Sequence, residues 1–460
     1  MLRPYQSDII EKVRSLMKQG VRSMVVVSPT GSGKTLLTAY MLKTAAAKNV
    51  HSLFTVHRRE LLKQSVLAFS RIGMNVGVVA AGFMEDRRPL VQIASIQTAS
   101  RRWHKMKPPR LIVVDECVHV AAASWSKFLA NYPDAFLVGL TATPHRTDGA
   151  GLGKWFQKMV MGPSVKWLIE NKFLSPYKIY VPSQPNLEGV HKRMGDYVQS
   201  ELSPLVDKPS ITGDAIVQYR KHANGKRAIV FCVGIQHSMH VASQFMAAGI
   251  PAQHVDGDTE PSERDSAIKK FERGEILILT NSDLFGEGLD IPAIEAVILL
   301  RPTASLSLYL QQIGRALRPH PGKTHAVILD HAANCLKHGL PDDEREWNLE
   351  GEAKKKAKEE GSVSVRICPA CFAAQFIGKP VCGYCQHVFD LKPRKVEQVE
   401  GELVEADVEA IRRMRNREQG SAQTYQELVA LARKRGYKKP EAWSSLILKA
   451  RQAKRMGVMR

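Results

Sequence analysis

The sequence lacks any uninterrupted apolar run of the roughly 18 residues that a membrane-spanning helix needs, so no membrane partner is expected. Its N-terminus also lacks the apolar centre of a secretory signal, because acidic residues stand among the first apolar ones. Cysteine is scarce, with seven residues, and four of them fall in one short segment, which is not the pattern of a secreted disulfide framework. These absences predict a cytoplasmic protein.

Acidic residues are also few: the 460-residue chain has 45 Asp and Glu against 66 Lys and Arg, a formal net charge of +21. Such an excess favours an anionic partner, of which nucleic acid is the first candidate. The excess is uneven, since residues 411–460 hold 14 Lys and Arg and only three acidic residues. A hydrophobic fraction of 44% excludes a wholly disordered chain, and the length suggests about three domains.

Short β-branched runs alternate with helical patterns in two parts of the chain, which predicts an α/β fold with two parallel-sheet domains. The predicted strands are residues 24–29, 52–56, 91–96, 110–116 and 135–141, then 227–233, 275–280, 295–300 and 324–330. The predicted divisions are a first domain (1–180), a linker or small insertion (181–209), a second domain (210–340), an exposed charged linker (341–362), a cysteine module (363–392) and a basic helical region (393–460).

The most specific chemical pattern is SPTGSGKT at 28–35, between a predicted strand and a predicted helix. Glycines there let backbone N–H groups approach phosphate oxygens, and the helix N-terminus favours negative charge. We expect Lys34 to reach the β- and γ-phosphates of ATP and Thr35 to ligate Mg²⁺. The residues expected around the phosphates are Thr30, Gly31, Ser32 and Gly33. Ser28 stands where the general pattern has glycine.

Asp115 and Glu116 end the predicted strand 110–116. A carboxylate at such a strand end supplies a further Mg²⁺ contact, and we assign that role to Asp115. Glu116 is the candidate general base that orients and deprotonates the attacking water. The alternative, a surface acidic pair, is disfavoured by the phosphate loop upstream.

Further runs complete an ordered set of motifs that resembles the superfamily 2 helicases of the DEAD/DEAH type. The matching runs are LRPYQ (2–6), SPTGSGKT (28–35), VHRREL (56–61), SIQTA (95–99), DEC (115–117), TAT (141–143), IVF (229–231), NSDLFGEGLDIP (281–292) and QQIGRALRP (311–319). The resemblance covers about residues 1–340, and so many motifs in the family's order are specific together. Within the superfamily, the chain is most similar to bacterial RadD-like and phage-encoded helicases.

The resemblance implies two tandem RecA-like domains with Mg²⁺-ATP in the cleft between them. It implies that Gln6 lies near the adenine base and that Gly288 and Asp290 belong to the nucleotide site. It further implies that Arg315 and Arg318, one helical turn apart, stabilise charge on the γ-phosphate from the second domain. Hydrolysis would then depend on domain closure.

One position departs from the family pattern. Family members usually carry His at the fourth position of the run that begins at Asp115, where this chain has Val118. His119 follows, but on an extended segment a shift of one residue turns the side chain to the other face. The usual link between hydrolysis and strand binding is therefore in question.

The cysteine segment has two C-x₂-C pairs separated by ten residues. Its members, Cys368, Cys371, Cys382 and Cys385, suffice for a closed tetrahedral Zn²⁺ site. A redox pair is the alternative, although the thioredoxin-like context that it needs is absent. We expect the zinc to be structural and not catalytic.

The last region predicts two basic helices. Thr424 and Glu427 form a capping-box pattern at the start of the first, which would end near Gly436. Pro440 suits the start of the second. Tyr and Trp residues interleaved with the positive charges favour nucleic-acid contact, and a helical hairpin with merely solvated charges is the alternative.

The motifs together predict an ATP-dependent DNA helicase or translocase that acts in replication, recombination or repair on single-stranded, forked or branched DNA. RNA as the partner is the closest alternative, because such motors grip the backbone more than the bases. Translocation on duplex without unwinding is also open. A nucleotide-gated clamp with weak hydrolysis is a third reading, and Val118 keeps it open. The sequence does not identify a protein partner, and it leaves a nuclease partner subunit open.

Overall fold

The computed structural model describes residues 2–455, except 147–148, 182–184, 186, 194, 208, 283–293, 352–364, 378, 390–416 and 436–439. The chain forms two compact units, Met1–Leu391 and Lys392–Arg460. Over the described ranges, no helix is both long and apolar enough to cross a membrane.

The first domain is built on seven strands, β1 (Ser23–Val27), β2 (Ser52–Val56), β3 (Val76–Val79), β4 (Val91–Ser95), β5 (Leu111–Val114), β6 (Phe136–Thr141) and β7 (Lys158–Met161). They form one sheet in the order β3-β4-β2-β5-β6-β1-β7, and each neighbouring pair is parallel. Successive residues of β1 enter two different apolar cores, with Val26 in one and Val25 in the other. The sheet is therefore covered on both faces, as β-branched runs predict.

The helices of this domain are α1 (Pro4–Lys18), α2 (Lys34–Ala46), α3 (Arg59–Arg71), α4 (Ile96–Arg102), α5 (Ala123–Leu129) and α6 (Val165–Glu170). Two short 3₁₀ helices, Trp103–Lys105 and Cys117–Ala121, follow α4 and β5. Helix α2 begins directly after the glycine-rich loop, so its N-terminus faces the loop as phosphate binding requires.

The second domain contains a six-stranded parallel sheet. Its strands are β8 (Tyr177–Tyr180), β11 (Ala228–Phe231), β12 (Ala252–His254), β13 (Ile278–Asn281), β14 (Ala296–Leu299) and β15 (Ala326–Asp330). Their order is β12-β13-β11-β14-β15-β8. Residues 177–180, which the sequence grouped with the first domain, thus pair with β15 at the edge of the second sheet. The two parallel sheets confirm the predicted fold class.

The helices of the second domain are α7 (Gln199–Val206), α8 (Pro209–His222), α9 (Ile235–Ala247), α10 (Pro261–Arg273), α11 (Leu306–Ala316) and α12 (Asn334–His338). A small hairpin, β9 (Lys192–Arg193) with β10 (Asp196–Tyr197), precedes them. Asp196 accepts hydrogen bonds from the Thr303 hydroxyl at 2.9 Å and from the Ala304 N–H at 2.6 Å. The hairpin is thereby fixed to the second domain ahead of α11.

Residues 340–351, named the strap below, run from the second domain back to the first. At the second domain, Arg345 donates to the carbonyl oxygen of Leu340 at 2.7 Å, and the Tyr177 hydroxyl donates to Asp342. At the first domain, the Gly153 N–H donates to the Leu349 carbonyl at 2.7 Å. The expectation of an exposed linker is therefore wrong for residues 341–351, because apolar side chains within this charged run pack on the first domain.

The cysteine module contains one antiparallel hairpin, β16 (Val365–Ile367) with β17 (Ala374–Phe376). It lies against β8, since the Val181 N–H donates to the Phe372 carbonyl at 2.9 Å and Tyr180 bridges Ala373. The second unit contains α13 (Tyr425–Lys434) and α14 (Pro440–Arg455). Thr424 caps α13 with the predicted capping box.

Packing of the strap on the first domain should contribute to the free energy of unfolding. Trp347 packs against the core of the first domain, and its ring centroid lies 5.0 Å from that of His145. Because the indole is partly buried, Trp347→Ala should lower the free energy of unfolding by about 1–2 kcal/mol in urea titrations of the full chain. Met84→Ala, at a side chain that is 93% exposed, is the control and should change little. Equal stabilities of the two variants would contradict a packed strap.

Candidate active site

The phosphate loop has a backbone that only glycine adopts readily. Gly31 and Gly33 have φ values of +86° and +82°, in the left-handed region. A Cβ atom at Gly33 would lie 2.6 Å from Nε2 of Gln6, so the position also requires the missing side chain. The Ser28 hydroxyl donates to Ser32 Oγ at 2.7 Å, and the Ser32 hydroxyl donates to the Pro29 carbonyl at 2.7 Å. Serine at the first position therefore braces the loop from within.

Two side chains of α1 donate hydrogen bonds to backbone carbonyl oxygens of the phosphate loop. Gln6 Nε2 donates to the carbonyl oxygens of Ser32 at 3.1 Å and Gly33 at 3.3 Å, and the Tyr5 hydroxyl donates to Ser32 at 2.6 Å. Gln6 is buried, and its Oε1 accepts the N–H of Arg3 at 3.0 Å. Its described contacts thus support the loop, while its contact with an adenine base stays a prediction.

Lys34 and the acidic pair meet beside the loop. Lys34 Nζ lies 3.8 Å from Oε1 of Glu116 and donates to the Ser28 carbonyl at 3.2 Å. Glu116 has a φ of +44°, an unfavourable conformation for a residue with a Cβ, which is the kind of strain found at functional sites. Asp115 precedes it, and its N–H donates to the Thr55 carbonyl at 3.1 Å.

A cavity of about 460 Å³ lies over the loop and is walled by both domains. The first domain contributes Thr30, Gly31, Gly33, Lys34, Thr35, Asp115 and Glu116, and the second contributes Gln311, Arg315 and Arg318. The structure therefore brings together most of the residues that the sequence assigned to nucleotide binding and hydrolysis. Gly288 and Asp290 lie outside the described residues.

Helix α11 packs against the phosphate loop so closely that the contact has no space for an added side chain. A Cβ at Gly314 would lie 2.5 Å from Cβ of Thr30, and one at Gly31 would lie 3.4 Å from Cγ of Arg318. Glycine at both positions lets the helix approach closely enough for its arginines to line the cavity. Arg315 itself is only 6% exposed.

Hydrogen bonds through Thr141, Thr143 and Ser307 connect Glu116 to the second domain. The Thr141 hydroxyl lies 3.5 Å from Oε2 of Glu116 and accepts the N–H of Thr143 at 3.1 Å. The Thr143 hydroxyl donates to Ser307 Oγ, on α11, at 2.6 Å. Ser307 lies in the segment RPTASLSLYLQQIGRALRP (301–319), one turn before Gln311, but the sequence assigned it no role.

The expectation of an extended segment at His119 is wrong. Residues 117–121 form a 3₁₀ helix and not an extended segment, so alternation of faces does not apply to them. The His119 ring centroid lies 4.4 Å from that of His57, in the run 56–61, and Gln97 Nε2 donates to the His57 carbonyl at 3.0 Å. Val118 packs against an apolar core of the first domain. Three motifs thus meet around His57.

The four predicted metal ligands converge in the cysteine module. All four Sγ atoms lie within 4.8 Å of one another, with Cys368 and Cys385 at 3.6 Å and Cys371 and Cys382 at 3.8 Å. Tetrahedral zinc with Zn–S bonds of about 2.3 Å needs sulfur atoms about 3.8 Å apart. The donor set and its spacing therefore fit zinc.

The two C-x₂-C turns share one backbone geometry. Phe372 and Gln386 each follow the second cysteine of a pair, and both are left-handed, with φ of +60° and +61°. Each donates its N–H to the carbonyl of the first cysteine of its pair, at 2.9 and 3.0 Å. Burial opposes ionisation of Cys368, but backbone N–H groups of Cys371 and Ala370 lower its pKa to about 7. The thiolate that binds metal is thereby favoured.

The basic tail unit uses part of its charge internally. Arg433 pairs with Glu441 at 2.9 Å, Arg435 pairs with Glu418 at 3.0 Å, and Arg451 donates to the Ala422 carbonyl at 2.7 Å. These three cations stabilise the helical unit itself. Contact between this unit and nucleic acid stays a prediction.

Comparison with known proteins agrees with the geometry. Residues 1–146 match the family described as the res subunit of type III restriction enzymes, and residues 208–320 match the conserved C-terminal domain of helicases. A 51.5 kDa protein of a Lactococcus phage (isolate 7-9) is 36% identical over 84% of this chain and 82% of its own length. IRC3 of Saccharomyces cerevisiae, named as a candidate ATP-dependent helicase, is 32% identical over 72% of this chain.

The match spans about half of the yeast relative, 51% of its length. Among solved structures, a fragment assigned to the HsdR subunit of a type I restriction enzyme from Vibrio vulnificus YJ016 aligns with a TM-score of 0.59. It is 21% identical and covers 74% of this chain and 66% of its own, which supports the fold.

Two RecA-like domains with a phosphate loop in the first and two arginines facing it from the second define a nucleotide-hydrolysing motor. The chain belongs to the superfamily 2 helicases, and it is an ATP-hydrolysing enzyme.

The contact between α11 and the loop can be tested by adding one methyl group. Gly314→Ala should lower the kcat for ATP by about tenfold, because the new Cβ collides with Thr30 and displaces the arginines. Its Tm should not fall, since alanine favours a helix over glycine by about 1 kcal/mol. Gly420→Ala, where an added Cβ meets open space, is the control. Unchanged kcat in the Gly314 variant would show that the domains need not close this far.

The zinc site can be tested by metal analysis. The purified chain should contain about one zinc per molecule, and Cys371→Ala should lose it and unfold at a lower temperature, because four thiolates close the site. Cys232→Ala, at a buried cysteine outside the cluster, should keep its zinc. Zinc-free protein with an unchanged Tm after chelation would contradict a structural metal.

Proposed function

We propose that the chain is a DNA helicase or translocase that hydrolyses Mg²⁺-ATP in the cleft between its two RecA-like domains. The observation that carries the proposal is the 460 Å³ cavity, which is walled by Lys34 and Glu116 from one domain and Arg318 from the other. A site assembled from two domains couples hydrolysis to their relative movement. If each domain grips the strand, closing and opening become a step along it.

Lys34 and the backbone N–H groups of the phosphate loop bind the triphosphate. Thr35 and Asp115 offer a hydroxyl and a carboxylate oxygen, which are the hard ligands that Mg²⁺ prefers, and both line the cavity. The metal, when bound, neutralises negative charge on the phosphates.

Glu116 accepts a proton from the attacking water. Lys34 at 3.8 Å and the Thr141 hydroxyl at 3.5 Å approach different oxygen atoms of its carboxylate, so its orientation is held from two sides. The left-handed backbone at Glu116 turns this side chain into the cavity. A water on the γ-phosphate side of the cavity is the group that it would orient.

Arg315 and Arg318 stabilise charge that develops on the γ-phosphate. Arginines supplied from a second element in this way accelerate phosphoryl transfer by about 10³–10⁵. They reach the phosphates only while Gly314 of α11 touches Thr30. The hydrogen bonds through Thr143 and Ser307 then couple the position of Glu116 to the second domain.

DNA is the proposed strand. Restriction enzymes act on DNA by definition, and both the family matched by residues 1–146 and the aligned HsdR fragment carry that name. The net charge of +21 suits any polyanion. The cluster of His57, Gln97 and His119 joins three motifs at one surface and is the proposed place where strand binding reaches Glu116.

The zinc module has a proposed structural role. It covers the edge strand β8 through the Val181–Phe372 hydrogen bond and the Tyr180–Ala373 bridge. A paired edge strand offers no open N–H and C=O groups for aggregation. Zinc would hold the two cysteine turns together and so keep this cover in place.

The proposal is tested by strand-stimulated hydrolysis. ATPase rates should rise with single-stranded, forked or branched DNA, and Glu116→Gln should lower kcat by about 10²–10⁴ because the amide cannot accept the proton. Nucleotide binding should persist in this variant. Glu263→Gln, at an exposed glutamate on α10, is the matched control.

Other outcomes separate the alternatives. Stimulation by RNA but not DNA would make the chain an RNA helicase. ATP-dependent strand binding with negligible turnover in the unaltered chain would favour the clamp.

A further inference from the structure

The two arginines depend on a short turn at the end of α11. Arg315 is in the last turn of the helix, which ends at Ala316, and Arg318 lies just beyond. The last carbonyl groups of a helix have no partner within it and need donors from elsewhere. The position of both guanidinium groups therefore depends on which donors hold Ala316, Leu317 and Arg318.

One ammonium group donates to two of these three carbonyl groups. Lys323 Nζ donates to the carbonyl oxygens of Ala316 and Arg318, the latter at 2.9 Å. It also donates to the Ile294 carbonyl at 2.9 Å, just before β14. A cation at a helix C-terminus is favourable because the helix dipole places negative charge there. Lys323 thus ties the arginine turn to the sheet of the second domain.

The connection between the two domains holds the same turn from the other side. The Ser175 N–H donates to the Leu317 carbonyl at 2.7 Å, and its hydroxyl donates to the Arg318 carbonyl at 3.3 Å. Leu174, the preceding residue, would lie 2.9 Å from a Cβ at Gly31. The turn is therefore clamped between Lys323 and the segment that borders the phosphate loop.

We propose that Lys323 is a positioning residue for ATP hydrolysis, which holds Arg315 and Arg318 toward the cleft. The inference rests on the proposed roles of those arginines. Lys323 itself makes no contact with the nucleotide cavity and acts through the backbone of the turn. The motif pattern ends at Pro319, four residues earlier, so nothing in the motif singles Lys323 out.

The Lys323 ammonium group loses its proton within the pH range in which the enzyme can be assayed. Burial lowers the pKa of Lys323, Glu295 opposes this shift, and nearby Lys226, Arg318 and Arg227 add to it, so that the pKa is about 8. Below this pH the ammonium has three N–H donors for three carbonyls. Above it the neutral amine has only two. Hydrolysis should therefore weaken as the pH rises through about 8.

The first experiment compares Lys323→Met with Lys221→Met in the full chain. Lys221 is exposed on α8 and is the matched control. Lys323→Met should lower kcat on the order of 10- to 100-fold, as a misplaced catalytic group does, with KM for ATP changed less than about twofold. Unchanged kcat in a variant that keeps its Tm would overturn the proposal.

The second experiment uses the pH profile, which a purely structural role would not move. The kcat of the unaltered chain should fall above about pH 8, and Lys323→Arg should abolish that alkaline decline, because guanidinium stays protonated. An unchanged decline in Lys323→Arg would overturn the proposal, even if Lys323→Met fails to fold.

Arg315→Ala and Arg318→Ala, measured alongside, separate this inference from the proposed function. Full activity in both would remove the proposed role of the arginines. Loss of activity in the arginine variants with full activity in Lys323→Met would leave that role intact and refute positioning by Lys323.

Discussion

The contact between helix α11 and the phosphate loop is the constraint on which the active site depends. At Gly314 and Thr30 the two domains approach so closely that a single added methyl carbon would lie 2.5 Å from the opposite side chain. Because close-packed surfaces deform little, this contact is either formed or broken, with few intermediate positions of the two domains. In this arrangement the arginines line the cavity over the loop, and the Thr143 hydroxyl donates to Ser307. ATP hydrolysis and the relative position of the two RecA-like domains should therefore change together in this chain.

Several segments outside the motifs support that contact. The chain crosses to the second sheet at β8, and the strap returns to the first domain after α12. The cysteine module closes the edge of β8, and its four thiols have the spacing of a zinc site. The crossing into β8 and the strap connect the two domains through the backbone, so they limit how far the cleft can open.

Strong local patterns predicted most of the fold. All nine predicted strands are present, because buried parallel strands are β-branched runs of sufficient length. The four strands that the sequence missed in the two parallel sheets, β3, β7, β8 and β12, are three or four residues long, and all four lie at sheet edges. Two features follow from tertiary packing, which local sequence patterns do not indicate. They are the pairing of β8 with the second sheet and the packing of Trp347 on the first domain. Lys34, Glu116 and Arg318 were predicted as a site; Ser307 and Lys323 were not, since each acts through a neighbour.

Hydrolysis should require closure of the α11–loop contact. The most direct test of this requirement is the distance between labels on Leu67 of the first domain and Met246 of the second, both exposed, followed by single-molecule fluorescence during turnover. Bound ATP and DNA should populate a short distance between the labels, and each hydrolysis event should occur from that closed state. Gly314→Ala should shift the population to longer distances. Hydrolysis at an undiminished rate while the labels stay far apart would contradict this requirement.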